Sequence, residues 1–150
     1  MALKEKINQD LKEAMKRKDE VALRALRALK AAILLAETAE GQTGELSPEQ
    51  ELKLLQKQAK QRKDAAEQYL SGNRPDLADA EQAELVVINQ YLPKQISPEE
   101  LEIFIQAIIV EIGAATSGDL GKVMGVATKR LAGQADGKLI SEIVKKQLSK

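Results

Sequence analysis

The apolar residues of this 150-residue chain recur at helical spacing, and no stretch sustains the alternation of polar and apolar positions that marks a strand. The first segment shows the pattern with apolar residues mostly three or four positions apart: Leu3, Ile7, Leu11, Ala14 and Met15. Alanine, leucine, lysine, glutamate and glutamine are abundant throughout, and all five favour helix. The sequence therefore predicts an all-α, multihelical protein.

Serine-proline pairs precede two of the predicted helices. Ser47-Pro48-Glu49-Gln50 has the form of a capping box, and Ser97-Pro98-Glu99-Glu100 repeats it. Between them, the segment SGNRPD at 71–76 has the composition of a loop, and Asp76 is predicted to cap the helix that follows. The helix after Ser97 is the most apolar of the chain. Its apolar residues cover more than one face, so we expect it to lie inside a small core of its own.

The segment YLPKQIS at 91–97 is the natural boundary of the chain. Leu92 precedes Pro93, and a residue before proline disfavours the helical conformation. We therefore predict two parts. Residues 1–93 form an N-terminal helical array, and residues 94–150 form a C-terminal three-helix unit.

The composition excludes several kinds of site. The 23 basic and 23 acidic residues give a net charge of zero, so no global field attracts nucleic acid or an anionic membrane. The chain has no cysteine and no histidine, which removes thiolate metal sites, the commonest zinc ligand and the commonest general base. Three aromatic residues are too few for a base-stacking platform. We expect neither a metal nor a cofactor.

No stretch of the chain approaches the ~20 apolar residues of a membrane span. The first residues, MALKEKINQDLK, lack the apolar segment of a secretory signal. From these two features we expect a soluble, cytoplasmic protein without a membrane partner.

The segment GQADGKLI at 133–140 lies between two amphipathic runs. Gly133 is predicted to end one helix in a left-handed turn, and Asp136 and Gly137 to begin the next. Asp119 is predicted to cap the earlier of these two helices.

Gly121 and Gly125 lie four residues apart within that earlier helix. A glycine inside a helix costs up to ~1 kcal/mol relative to alanine, so we expect a compensating close contact. The contact is either a neighbouring helix, which is the simpler interpretation, or the backbone of an RNA that approaches a surface without side chains.

The C-terminal part is locally basic, with seven basic and three acidic residues from Asp119 onward. Lysines lie seven residues apart on each of the two helices, so each pair shares a helical face. The pattern is typical of a phosphate-binding surface or of an ordinary solvated one. The candidate RNA-binding residues are Lys122, Lys129, Arg130, Lys138, Lys145 and Lys146.

The C-terminal segment DLGKVMGVATKRLAGQADGKLISEIVKKQL resembles the fingerprint of the GatB/YqeY family. That fingerprint is a Gly-Lys-Val-Met step followed by a Gly-x-x-Asp-Gly-Lys turn. Three upstream segments are similar to the stand-alone YqeY branch, so the resemblance covers nearly the whole chain: LRALKAAI, KQRKDAAEQYLSGNRPDLADAEQAEL and YLPKQIS. The resemblance implies kinship with the tail of the B subunit of the tRNA-dependent amidotransferase, where the module helps to hold the outer side of tRNA.

Three functions are compatible with these observations. The first is a non-catalytic module that binds folded tRNA by its shape and phosphates. The second is a protein–protein adaptor of an aminoacylation or transamidation complex. The third is an accessory to a carbon–nitrogen ligase that uses glutamine as the amide donor, active only within such an assembly. The sequence has no phosphate-binding Gly-rich loop and no nucleophile–base pair of cysteine and histidine, so no residue is assigned a catalytic role.

Overall fold

The computed structural model describes residues 2–42 and 44–149. Across these residues the chain forms seven α-helices and no strand, which confirms the predicted all-α, multihelical fold. The chain divides into two compact units, Met1–Leu92 and Pro93–Lys150. The boundary between residues 93 and 94 stays a prediction, and limited proteolysis of the full chain, which is expected to cleave near 93–97, would test it.

The first unit contains four helices: α1 (Leu3–Arg17), α2 (Glu20–Glu37), α3 (Pro48–Ser71) and α4 (Pro75–Asn89). Helix α1 packs on α2 and α3 packs on α4, while α2 also contacts α3 and α4 and so joins the two pairs. The core between them consists of side chains at helical spacing: Ile7, Ala14, Ala22, Leu26, Leu29, Ile33, Leu55 and Ile88.

The two serine caps differ in their reciprocal bonds. Ser47 Oγ accepts a hydrogen bond from the Gln50 N–H at 3.2 Å, and Gln50 Oε1 accepts one from the Ser47 N–H at 2.8 Å. The first capping box is therefore confirmed. Ser97 Oγ also accepts from the Glu100 N–H, but the Glu100 carboxylate accepts from the Ser97 hydroxyl at 3.1 Å instead of from its backbone. The second site is a serine cap without the full box.

The start of α4 corrects the prediction for Asp76. The helix begins two residues earlier, with Arg74 at the N-cap position and Pro75 as its first residue. The Asp76 carboxylate instead accepts two hydrogen bonds from the Arg74 guanidinium, at 3.1 and 3.2 Å. Proline suits the first helical position because its missing N–H has no partner there.

A polar contact between α1 and the residue two positions beyond α4 has no counterpart in the sequence analysis. The half-buried Tyr91 hydroxyl donates a hydrogen bond to the Asp10 carboxylate, which also accepts from Lys6. Burial, together with this bond, raises the pKa of the Tyr91 hydroxyl. The contact joins residues 81 positions apart, so no local pattern could indicate it.

The second unit contains α5 (Pro98–Ile112), a short 3₁₀ turn (Ser117–Asp119), α6 (Leu120–Arg130) and α7 (Gly137–Leu148). The three α-helices contact one another around a common core. Its buried members are Leu101, Ile105, Ile108, Ile109, Val123, Ala127, Leu131, Ala135, Ile140, Ile143, Val144 and Leu148.

The expectation that α5 is enclosed is only partly met. One face of α5 lies in the core, but Ile103 and Val110 on the other face are 73% and 70% exposed.

No single helix in residues 2–42 and 44–149 has the length and hydropathy needed to cross a bilayer. One pair of helical segments, Pro98–Ile112 and Ser117–Arg130, meets both criteria when taken together, but the pair is bent by 95°.

Candidate nucleic-acid interface

The turn between α6 and α7 is the centre of the candidate site. Gly133 is buried and has a φ of 79°, a left-handed conformation that side chains with a Cβ rarely adopt. Its carbonyl accepts a hydrogen bond from Gln95 Nε2 at 2.6 Å, and the neighbouring Gln134 carbonyl accepts one from the Ile96 N–H at 3.0 Å. The turn is thus tied to the segment that precedes α5.

Helix α7 begins directly after this turn. Asp136 occupies the N-cap position, and its side chain accepts a hydrogen bond from the Lys138 N–H at 3.3 Å. Gly137 is the first helical residue, and a Cβ there would meet no neighbouring atom within 4 Å. The start of α7 therefore rests on the aspartate cap.

The start of α6 differs from the prediction. The Asp119 carboxylate accepts hydrogen bonds from the Ala115 and Thr116 N–H groups, at 2.9 and 3.3 Å, and makes no bond to the first turn of α6. Asp119 thus occupies the predicted N-cap position of α6, but its side chain does not cap the helix, because the carboxylate reaches back across the 3₁₀ turn. The hydrogen bond from the Ala115 N–H is the main cause of the lowered pKa of the Asp119 carboxylate, and the positive charge of Lys122 lowers this pKa further.

The outer face of α6 carries two lysines and two glycines. Lys122 and Lys129 are exposed, and neither ammonium group lies within 4.0 Å of a carboxylate in the part of the chain that the structure describes. A Cβ at Gly121 or Gly125 would meet no neighbouring heavy atom within 4 Å. No helix of the described residues packs closely against these glycines, because the space beside them is open.

The side chain of Arg130, unlike that of its neighbour Lys129, contacts an acidic residue of another helix. Its guanidinium forms two hydrogen bonds with the Glu111 carboxylate on α5, at 2.7 and 2.9 Å. This guanidinium holds the pKa of Glu111 below its usual value. The pair is exposed and so adds little to stability, but it neutralises one of the six candidate cations.

The outer face of α7 also carries two exposed lysines, Lys138 and Lys145. Glu142 lies four residues after the first and three before the second, so its carboxylate shares their face. The ammonium group of Lys146 lies 3.9 Å from a carboxylate oxygen of Glu102 on α5. Of the three lysines on α7, only Lys146 has a carboxylate within 4.0 Å in residues 2–42 and 44–149.

The structure places the six candidate cations in three settings. Lys122 and Lys129 lie on the outer face of α6, Lys138 and Lys145 on that of α7, and the remaining two contact glutamates of α5. No local pattern in the sequence indicates the partners of Arg130 and Lys146, which lie 19 and 44 residues away along the chain. Only the packing of α5 brings these carboxylates into reach.

The fold and this site define a class of protein: an all-α protein with a C-terminal three-helix unit that presents glycines and lysines on one helix. The chain belongs to the YqeY family, because the family model described as "Yqey-like protein" matches residues 4–148. The resemblance noted from the sequence is thereby confirmed.

Three curated fungal proteins are similar to this chain, and each is named "Altered inheritance of mitochondria protein 41, mitochondrial". The one from Pyrenophora tritici-repentis is 30% identical over 95% of this chain and 77% of its own length. The one from Meyerozyma guilliermondii is 40% identical over 57% of this chain and 44% of its own length. The one from Lachancea thermotolerans is 34% identical over 65% of this chain and 51% of its own length. The chain thus spans about half the length of two of these relatives.

These names correct one expectation. The predicted cytoplasmic location is contradicted, because all three relatives are named as mitochondrial proteins. The prediction rested on the lack of an apolar leader, a feature that does not report on transport into mitochondria, whose targeting segments are amphipathic and not apolar.

Proposed function

We propose that this chain is a non-catalytic RNA-binding module that recognises folded tRNA through its phosphates and shape. The observation that carries the proposal is the outer face of α6. There, two glycines with open space beside them lie next to two lysines that have no carboxylate within 4.0 Å among the described residues. Lys122 and Lys129 are separated by about 10 Å along the helix axis, since each residue advances the helix by about 1.5 Å.

The glycines give the face a property that a lysine pair alone lacks. Glycine weakens a helix, and neither Gly121 nor Gly125 offsets that cost with an internal contact. A helix without side chains at two successive turns allows a polynucleotide backbone to approach its main chain closely. The two lysines next to the glycines then contact phosphates, which contribute affinity without sequence discrimination.

Membership of the YqeY family supports this choice of ligand, because the related module is associated with tRNA. Phosphate and 2′-hydroxyl contacts across the wide minor groove are the usual means of recognising helical RNA by shape. Because the fungal relatives are named as mitochondrial proteins, the proposal includes organellar tRNA among the ligands to be tested.

The test is a titration of the full chain with fluorescently labelled tRNA, from mitochondria and from bulk extract, over a series of salt concentrations. About four phosphate contacts predict that log K falls with log salt at a slope of about −3 to −4. A slope near zero, or equal affinity for tRNA and an uncharged polymer, would exclude phosphate recognition.

A role inside a glutamine-dependent amide transfer is tested separately. The purified chain, supplied with glutamine, ATP and misacylated tRNA, is expected to release no glutamate and to amidate nothing. Turnover that follows the chain through purification would replace the binding module with an enzyme. The adaptor function is favoured by a different observation, the exposed apolar residues of α5.

A further inference from the structure

Helix α5 presents an unpartnered apolar stripe. Ile103, Ala107 and Val110 are exposed and recur at positions i, i+4 and i+7, opposite the face that carries Leu101 and Ile105 into the core. The stripe extends about 10 Å, or two helical turns. Two large side chains that are 73% and 70% exposed, on the same face of one helix, leave apolar surface that the second unit does not cover with its own residues.

The charge beside this stripe has one sign. Helix α5 contains four glutamates and neither lysine nor arginine. Arg130 neutralises Glu111, and Lys146 approaches Glu102. Glu99 and Glu100, in the first turn, have no basic group within 4.0 Å in residues 2–42 and 44–149, so the stripe ends in an acidic turn.

We propose that this surface, which we call the α5 stripe (Glu99, Glu100, Ile103, Ala107 and Val110), docks a basic amphipathic helix of a partner protein. Apolar side chains at i, i+3 or i+4, and i+7 of the partner match the two-turn length of the stripe, as in other helix-in-groove complexes. Because the side chain of Ala107 is a single methyl group, one such side chain of the partner fits between Ile103 and Val110. Lysine or arginine residues at one end of the partner then lie opposite Glu99 and Glu100.

The same charge argues against other occupants. The phosphates of a nucleic acid or of an anionic lipid surface are repelled by the two unneutralised glutamates. A second copy of this chain fits poorly. A parallel pairing of two α5 helices sets Glu99 and Glu100 against their own counterparts, and an antiparallel pairing, which sets Ile103 opposite Val110, leaves these glutamates without basic partners.

The experiment uses the full chain, labelled at isoleucine and valine methyl groups, and two synthetic helical peptides of about 15 residues. Both peptides carry leucines at i, i+3 and i+7; one has lysines beside them and the other glutamates. The lysine peptide is expected to shift the methyl resonances of Ile103 and Val110 in a saturable manner, with at least tenfold higher affinity than the glutamate peptide.

Variants define where the peptide binds. Ile103→Ser together with Val110→Ser is expected to weaken binding of the lysine peptide at least tenfold. The matched control, Leu35→Ser together with Val86→Ser, alters equally exposed apolar residues of the first unit and is expected to leave binding unchanged.

The acidic turn is tested by Glu99→Lys together with Glu100→Lys, which is expected to reverse the preference between the two peptides. Equal affinity for both peptides, or shifts confined to other methyl groups, would overturn the proposal. So would methyl shifts that depend only on protein concentration, since they would assign the stripe to self-association. None of these outcomes involves the lysines of α6, so the tRNA proposal is tested independently.

Discussion

The outer faces of α6 and α7 look alike in the sequence and differ in the structure. Each carries a pair of exposed lysines seven residues apart. On α6 the residues around the pair include Gly121 and Gly125, with open space beside them, and its one nearby acid, Asp119, is engaged by backbone N–H groups. On α7 the intervening residue is Glu142, and α5 supplies another carboxylate, Glu102, to Lys146.

The comparison shows that the number of lysines is a poor measure of a phosphate-binding surface. Each lysine pair has one acid nearby, Asp119 three residues before Lys122 and Glu142 between Lys138 and Lys145. The open glycines are the feature that α6 has and α7 lacks. We therefore expect α6 to supply most of the affinity for tRNA, although the two helices contribute equally to the basic pattern in the sequence.

The largest expected effect comes from reversing the charges on α6. Lys122→Glu together with Lys129→Glu removes two phosphate contacts of ~1.5 kcal/mol each, so tRNA affinity should fall about 100-fold. The matched pair on α7, Lys138→Glu together with Lys145→Glu, should lower it less than about tenfold. Fluorescence anisotropy measures both affinities, and circular dichroism verifies that the helices persist. A larger loss from the α7 pair would invert the comparison.

The turn that joins the two helices is the next most sensitive point. Gly133→Val places a β-branched residue at a φ of 79°, so the free energy of unfolding should fall by about 2 kcal/mol. Gly137→Ala is the control, since its Cβ meets no neighbour and its φ is not positive. Urea denaturation should separate the two variants. Equal stability would mean that residue 133 readily adopts another conformation.

Filling the glycines of α6 separates stability from binding. Gly121→Ala together with Gly125→Ala should raise the free energy of unfolding by about 0.5–1 kcal/mol per site, because alanine favours helix and the space is open. The same variant should bind tRNA more weakly, since two methyl groups then separate the main chain from the RNA. A rise in melting temperature with unchanged affinity would show that the RNA does not approach the glycines.

The cap of α7 should contribute less. Asp136→Ala removes the side chain that accepts from the Lys138 N–H, at a cost of ~1 kcal/mol in the free energy of unfolding. Asp136→Asn keeps an acceptor and should restore most of the loss. Amide hydrogen exchange in the first turn of α7 reports the effect locally, and unchanged protection there in the alanine variant would contradict the assignment of the cap.

The smallest expected effect is the pH dependence of the 3₁₀ turn before α6. Backbone N–H groups of Ala115 and Thr116 hold the pKa of Asp119 below its unfolded value of 3.8. The stabilising contribution is therefore complete above about pH 4 and is lost as the pH falls through the lower, folded pKa. Amide exchange at Ala115 should accelerate in acid, and Asp119→Asn should abolish that dependence. Retention of the pH dependence in Asp119→Asn would assign it to another group.

Local signals account for the parts of the fold that were predicted correctly. The helical period of the apolar residues and the Ser47 capping box each involve residues within a few positions of one another, and both predictions are confirmed. The sequence also showed that Gly121 and Gly125 lie inside a helix, where glycine is unfavourable. It did not show that the space beside them is open. The predictions that failed at Asp76 and Asp119 concern side chains with two backbone options within reach, between which local sequence does not discriminate.

The sequence by itself therefore determined the helices, most of their caps and the family, because each depends on short-range spacing or on a fingerprint of adjacent residues. Only the tertiary structure decided which cations are neutralised and which apolar residues stay exposed. Arg130 meets Glu111, and Ile103 and Val110 remain outside the core, because the packing of α5 on α6 and α7 selects which face of each helix is buried. Interactions between residues far apart in the chain follow from that selection. The helical period of the sequence identifies the apolar face of each helix, but it does not specify which other helix packs against that face.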